Sequence, residues 1–299
     1  MIVTAATMIS TDIELLEWCV VNARKRAGVE HTWLVIGLES PSEVGQWCLD
    51  NDCRFVNLEM EPNPDQDPAI YLRNLYKGWN ALYEYAETPW VARMGADQFF
   101  SQNWLRNLME CVPLKGERAV YHCYTVESET VSEVREASRR KNNEPHIWGH
   151  VWRGRHDLQP WGDSWQEFKQ GAFDSFANDL VWRFQHEKVI TAEQSDLFFF
   201  HPTRGSQLRP DGASWLQTKA LWEEFGPMPD TVVEGVSGDV AYMDALYDAG
   251  VPGFLVPISA TYHVGRGASG HEYKEEEIGG EDSISQEAST YRVRPKDAD

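Results

Sequence analysis

Four short apolar runs punctuate the first hundred residues, and a segment of helical pattern separates each from the next. Residues 2–6 (IVTAA), 32–37 (TWLVIG), 53–58 (CRFVNL) and 90–94 (WVARM) are of buried-strand type. After the first, Ile13, Leu16, Val20, Ala23 and Ala27 recur at helical spacing behind Thr11-x-x-Glu14, which reads as a capping box, and Gly28 ends the helix. After the second, Ser40-Pro41-Ser42-Glu43 combines an N-cap serine, proline at the first helical position and an acid in the first turn. Leu72, Leu75, Trp79, Leu82 and Ala86 mark the third helix. A parallel crossover needs about a dozen residues or more, so this alternation predicts βαβ units and a parallel sheet. A chain of 299 residues, 42% hydrophobic and 25% charged, is long enough to bury both faces of such a sheet.

Open α/β sheets bind ligands beyond the carboxyl ends of their strands, which singles out WVARMGADQFF, residues 90–100. Gly95-Ala96 breaks the strand, and Asp97 stands just before the next helical pattern at Trp104, Leu105, Leu108 and Val112. A carboxylate there serves either as a helix cap or as a hard oxygen ligand for Mg²⁺ or Mn²⁺. Residues 119–125 (AVYHCYT) read as a further strand, and from about residue 127 the character changes. The stretch to 215 is rich in Trp, His, Arg and Asp with weak periodicity, which fits flat polar ligands such as sugars or a satellite core under long loops. His146, His150 and His156 lack an HExxH pattern and any cysteine partner, so a metal site is not indicated there. Helical order is expected again over 214–225. After Pro227-Met228-Pro229, the residues Val240, Met243, Leu246 and Tyr247 form an amphipathic helix ended by Gly250, with Asp239 in its first turn. Residues 254–258 (FLVPI) read as the last strand, followed by Thr261-Tyr262-His263-Val264-Gly265, and the polar chain from Gly270 as a mobile tail or ligand-covering segment.

Several function classes are disfavoured. A formal charge of -20 repels phosphate backbones, so nucleic-acid binding through a broad basic face is not expected; residues 135–141 (REASRRK) are the local exception. No apolar run approaches the ~20 residues a membrane span needs, and the start MIVTAATMIS lacks a signal-peptide pattern, so a cytoplasmic setting is expected. Five cysteines with no CxxC pair indicate neither a disulfide framework nor a zinc site. Neither GxGxxG nor GxxxxGK[ST] occurs.

These pieces, in this order, resemble the family-2 glycosyltransferases and related sugar-nucleotide transferases of the GT-A fold, over roughly residues 1–126 and 218–266. The resemblance implies an α/β fold with a mostly parallel central sheet flanked by helices and carrying a Trp-rich insertion. It divides the chain into a donor-binding half (1–126), an aromatic-rich probable acceptor region (127–217), a base helix with the last strand (218–269), and an acidic tail or lid (270–299). MGADQFF looks like the family's Asp-x-Asp segment with Gly95 in place of the first acid, which implies Asp97 as cation ligand. Arg73-Asn74, with Gly78 and Ala81, is similar to the family's Arg-Asn-x-Gly helix, which implies Arg73 or Lys77 near donor phosphates. Ala6, which closes the first strand, Thr7 just after it, and Glu39 after the second are implied on the nucleotide. The stretch LWEEFGPMPDTVVEGVSGDVAYMDALYDAG matches the segment whose carboxylate is the general base of inverting members, here Asp239, with Gly238 where the family often has Glu. YHVGRGAS resembles the distal segment that supplies a histidine to the cation, here His263.

The activity so implied is transfer of a sugar from a nucleotide-diphosphate donor to a hydroxyl of a glycan, protein or small molecule, with Mn²⁺ or Mg²⁺ on the departing diphosphate and Asp239 as base. Two other classes stay open. A nucleotidyltransferase shares the layout but wants a basic, glycine-rich loop where this chain has ATMISTD. An inert carbohydrate-binding or virion accessory protein is consistent with the missing acids at Gly95 and Gly238.

Overall fold

The computed structural model describes residues 2–64, 67–127, 199–201, 214–230 and 238–263. The first four strands, β1 (Val3–Ile9), β2 (His31–Leu38), β3 (Arg54–Leu58) and β4 (Trp90–Met94), are all parallel, in the order β3-β2-β1-β4. Helices α1 (Ile13–Arg26), α2 (Ser42–Asp50) and α3 (Pro68–Glu84) make the crossovers. Then come β5 (Gln98–Phe100), α4 (Trp104–Lys115), β6 (Val120–Glu127), β7 (Phe199–His201), β8 (Trp215–Thr218), α5 (Lys219–Phe225), α6 (Gly238–Asp248) and β9 (Gly253–His263). The sheet runs β3-β2-β1-β4-β8-β6-β9-β5, with β7 paired to the other end of β9. β8 is antiparallel to both β4 and β6, while β6 and β9 are parallel. The chain is thus an α/β protein with a mostly parallel central sheet flanked by helices.

Strand alternation sorts the core into two layers. Val3, Ala5, Ile9, Trp33, Val35 and Met94 face α1, α2 and α4, whereas Ala6, Met8, Leu34, Ile36 and Val91 face α3, α5 and α6. Both faces are sealed, so the parallel strands carry continuous apolar runs rather than alternation with polar residues. Gly78 lets α3 lie close on the sheet, since a Cβ there would sit 2.8 Å from Leu38 Cδ2 and 2.9 Å from Met8 Sδ. All five cysteines are buried free thiols.

The local signals differ from their sequence reading at six places. The cap of α1 is Asp12, whose Oδ1 accepts from Leu15 N at 2.9 Å, so Thr11-x-x-Glu14 is not the capping box. The N-cap of α2 is Pro41, because the Ser40 hydroxyl donates instead to Ile9 O at 2.8 Å and ties α2 to β1. β1 continues to Ile9, which leaves Ala6 and Thr7 inside the strand rather than beyond it. Asp97 precedes a strand, β5, and not a helix. Residues 215–218 are a strand rather than the start of the following helix, for β8 fills the place between β4 and β6. β9 runs through Pro257 to His263: its register with β6 jumps from Cys123↔Val256 to Tyr124↔Ala260, and a proline without an N–H is tolerated at such an irregularity. The expected aromatic-rich region, the three histidines 146, 150 and 156, the basic run 135–141 and the acidic tail lie almost wholly outside the described residues.

Candidate active site

Asp97 ends the three-residue connection between β4 and β5 and is only 4% exposed. Gln98 closes this turn: its Oε1 accepts from Gly95 N at 3.1 Å and from the Ser214 hydroxyl at the start of β8. From the helix side, Cys19 Sγ donates to Gly95 O at 3.4 Å. Burial, and then the charge of Asp97, push the Cys19 thiol far above its ordinary value, so it stays a neutral donor. A Cβ at Gly95 would lie 2.9 Å from Asp97 Oδ1. The first acid of an Asp-x-Asp pair is therefore missing where the Asp97 carboxylate itself takes the space.

His263, the last residue of β9, pairs in register with Gln98, the neighbour of Asp97. Two positions far apart in sequence thereby meet at one end of the sheet, because β5 reverses direction beside β9. Among the described residues no three His, Cys, Asp or Glu side chains gather into a metal cluster.

Asp239 lies in the first turn of α6. Its Oδ1 accepts from the Tyr76 hydroxyl of α3 at 2.8 Å. Tyr76 itself is buried, so this is a short bond from a fixed phenol to a half-buried acid. The approach depends on Gly238: a Cβ there would sit 1.9 Å from Pro229 O and 3.2 Å from the Tyr76 ring. Pro229 is held through its neighbour, for Asn80 of α3 accepts from Met228 N at 2.8 Å and donates to Met228 O at 2.9 Å. One helix, α3, thus positions both the Asp239 carboxylate and the turn against which α6 starts.

The outer face of α3 and residues 227–230 enclose a groove of about 510 Å³, which Arg73 and Lys77 help to line. Both cations are already engaged. Arg73 makes a two-pronged pair with Glu61 at 2.7 Å on each prong, and Lys77 Nζ donates to Glu59 O at 2.5 Å. Glu39 follows β2 in the left-handed region at φ 51°, exposed, with its N–H on Leu58 O at 3.0 Å. Ala6 and Thr7 are fully buried within β1, and the Thr7 hydroxyl has no hydrogen-bond partner among the described residues. The described structure therefore brings Asp97 beside the register position of His263, packs Asp239 of α6 against Tyr76 of α3, and leaves Ala6 and Thr7 sealed in the sheet.

Sequence reasoning missed Tyr76, Asn80 and Gln98, which orient these groups. It also missed Arg93, a buried guanidinium between the rings of Trp79 and Trp215, 3.5 and 4.1 Å from their centroids. A lone polar residue inside an apolar run was the one available signal for Arg93; Tyr76 gave none, since its spacing is that of a core aromatic.

No protein-family model matches the chain, and no curated protein matches it in sequence. Among solved structures it is similar to GalNAc-T7 crystallised with UDP, GalNAc and Mn²⁺, with a TM-score of 0.51 and 11% identity over 95% of this chain and 46% of that one. It is also similar to residues 1-349 of TarS from S. aureus, with a TM-score of 0.50 and 10% identity over 89% of this chain and 61% of that one. The chain spans about half the length of the first and under two thirds of the second. No helix among the described residues is long and apolar enough to cross a membrane. Strand order, the turn after β4 and these likenesses agree on one architecture: the fold is that of the GT-A-type glycosyltransferases.

Proposed function

We propose that the chain is a glycosyltransferase that moves a sugar from a nucleotide-diphosphate donor to a hydroxyl acceptor, in a metal-dependent reaction that inverts the anomeric centre. The observation that carries this reading is the pairing of Gln98 with His263, which sets Asp97 and His263 at one end of a GT-A sheet. A protein of similar fold, GalNAc-T7, binds UDP, GalNAc and Mn²⁺. Asp97 and His263 would hold the cation, and a carboxylate with an imidazole suits Mn²⁺ better than Mg²⁺. Asp97, a buried carboxylate in the turn after β4, is a hard oxygen donor of the kind such a cation takes. A cation held there neutralises charge on the departing diphosphate.

Asp239 accepts the proton of the acceptor hydroxyl while that oxygen bonds to the anomeric carbon. The bond from this carbon to the diphosphate breaks, and its electron pair leaves with the nucleoside diphosphate. A carboxylate is a weak base toward a hydroxyl, so it takes the proton chiefly as the new bond forms. Tyr76 holds Oδ1 and keeps the acid from swinging away. Attack from the side of Asp239 gives inversion. Arg73 reaches donor phosphate by exchanging Glu61 for it; both partners are exposed, so the pair is cheap to open. Residues 1–126 act as the donor half and 127–217 as the acceptor region in this reading.

A thermal-shift panel of UDP-, GDP- and TDP-sugars with Mn²⁺ or Mg²⁺ tests it. A ligand at a hundred times its dissociation constant stabilises by ~2.7 kcal/mol. Asp97→Asn should lose the metal-dependent shift, whereas Asp239→Asn should keep it and lose transfer. If no sugar nucleotide shifts the wild type with either cation, the proposal fails. Glycan binding that persists without donor turnover, and is indifferent to Asp239→Asn, would favour the inert carbohydrate-binding reading instead.

A further inference from the structure

Two asparagines of α3 fasten the walls of the groove to its floor. Asn74 accepts from Glu61 N at 2.9 Å and donates to Glu61 O at 2.8 Å. Almost two turns further on, Asn80 grips Met228 in the same two-handed way. Each wall of this cavity of about 510 Å³ is thus held by a side chain that takes both the N–H and the C=O of one residue. Clefts of this size with walls fixed in advance are the kind that take ligands. α3 follows the carboxyl end of β3, so Arg73 marks the end of the groove nearer the strand ends and Glu84 the far end, about 16 Å away at ~1.5 Å per residue. The groove also shares the Pro229 turn with the start of α6, where Pro229 O abuts Gly238 next to Asp239.

The lining selects the ligand. Its charged side chains are three acids, Glu61, Glu84 and Asp230, against two cations, Arg73 and Lys77. The bond to Glu61, and beyond it the charges of Asp67 and Asp230, hold Arg73 above its ordinary value, so its charge is already matched. A free anion therefore finds no net positive charge in the groove, and a donor diphosphate reaches Arg73 only together with its cation. A peptide finds no open edge on Glu61 or Met228, because the asparagines occupy their backbone groups. What remains are acceptor-only carboxylates, donor-only Lys77, and the apolar surfaces of Pro227 and Pro229. A hydroxyl both donates and accepts, so a polyol satisfies both kinds of group at once while its C–H face covers the prolines. When phosphate takes Arg73, the released Glu61 carboxylate becomes one more acceptor for such hydroxyls.

We propose that this groove is the acceptor site and that it binds a neutral, elongated carbohydrate through hydroxyls bonded to Glu84 and Asp230. The assignment rests on the transferase reading and names its acceptor class.

The test is an array of immobilised neutral, uronate-containing, sialylated and amino-sugar oligosaccharides and of Ser/Thr peptides, probed with the labelled full chain alone and with UDP or GDP and Mn²⁺. The wild type should retain neutral oligosaccharides, with little dependence on salt. Glu84→Ala and Asp230→Ala, both at exposed positions, should each weaken that retention by about 10-fold at an unchanged melting temperature, and Glu43→Ala, exposed on α2 across the sheet, should not. The sign discriminates: at an anion site, removing either acid would strengthen binding and the acidic glycans would be the ones retained. That outcome overturns the assignment, as does retention of amino sugars or peptides alone, or of neutral glycans that neither variant weakens. If nothing on the array is retained while sugar nucleotides still raise the melting temperature, the acceptor groove falls and the transferase reading stands. If sugar nucleotides fail as well, both fall.

Discussion

Gly238→Ala separates a steric reading of the α6 start from the general preference of helices for alanine. Propensity alone favours the change by up to ~1 kcal/mol. Against it, the new methyl would lie 1.9 Å from the Pro229 carbonyl oxygen, so the first turn of α6 has to retreat by at least about 1 Å. Pro229 cannot easily yield instead, because Asn80 grips the backbone of Met228 on both sides. Such overpacking costs about 1–3 kcal/mol. The same retreat stretches the 2.8 Å bond from Tyr76 to Asp239 out of range, and a hydrogen bond to a charged group is worth ~1.5–3 kcal/mol. The net expectation is a loss of about 2–5 kcal/mol, which at ~2–4 °C per kcal/mol lowers the melting temperature by roughly 5–15 °C. With Asp239 as the proposed base, displacing its carboxylate by 1 Å also costs on the order of 10²-fold in turnover. Thermal denaturation of the variant, with single-turnover transfer from whichever donor binds, measures both. A variant that melts at or above the wild type and transfers sugar at the same rate would refute the close-approach argument and, with it, the positioning of Asp239 by α3.

Glu39→Gly should raise the melting temperature, since glycine removes a left-handed strain of ~1 kcal/mol at φ 51°; weaker donor binding at the same time would place Glu39 on the nucleotide, and unchanged binding would remove it. Thr7→Val replaces a fully buried hydroxyl that has no partner among the described residues, so the urea midpoint should rise by the equivalent of about 1 kcal/mol with donor affinity unchanged; a loss of affinity would mean the strand interior is reached after all. Arg73 holds the Glu61 carboxyl below its ordinary value of 4.5, so whatever the pair contributes is present above that value and is lost as pH falls through the lower, folded one. The stability difference between wild type and Glu61→Gln should accordingly be visible near neutrality, shrink in salt, and vanish once the pH lies below the lowered, folded value; a difference that persists in strong acid would contradict the pairing.

What could be read from the chain depended on how local the cause was. β1 to β4 were legible because β1, β2 and β4 are buried apolar runs, β3 is a partly buried one, and helices with their own periodicity set them apart; Trp90–Met94 was read to the residue. Asp239 was legible in the first turn of α6 for the same reason. β5 and β8 were not: three and four residues are too few to show a period, and each owes its strand state to neighbours brought from elsewhere in the sequence. Pro257 masked the continuation of β9, which accommodates it where its register with β6 jumps. The same distinction runs through the site. Asp97, Asp239 and His263 declared themselves as polar residues at element ends, but what fixes two of them is long-range: Tyr76 reaches Asp239 across α3 and α6, and Gln98 binds the turn around Asp97 to Ser214. Gly238 shows why the distinction matters. Read locally, it is a lost acid and an argument for inertness; read against Pro229, it is the one residue type that lets α6 begin where it does. The absent carboxylate is thus evidence about packing before it is evidence about chemistry, and the same holds at Gly95, where the missing side chain would press on the acid that remains.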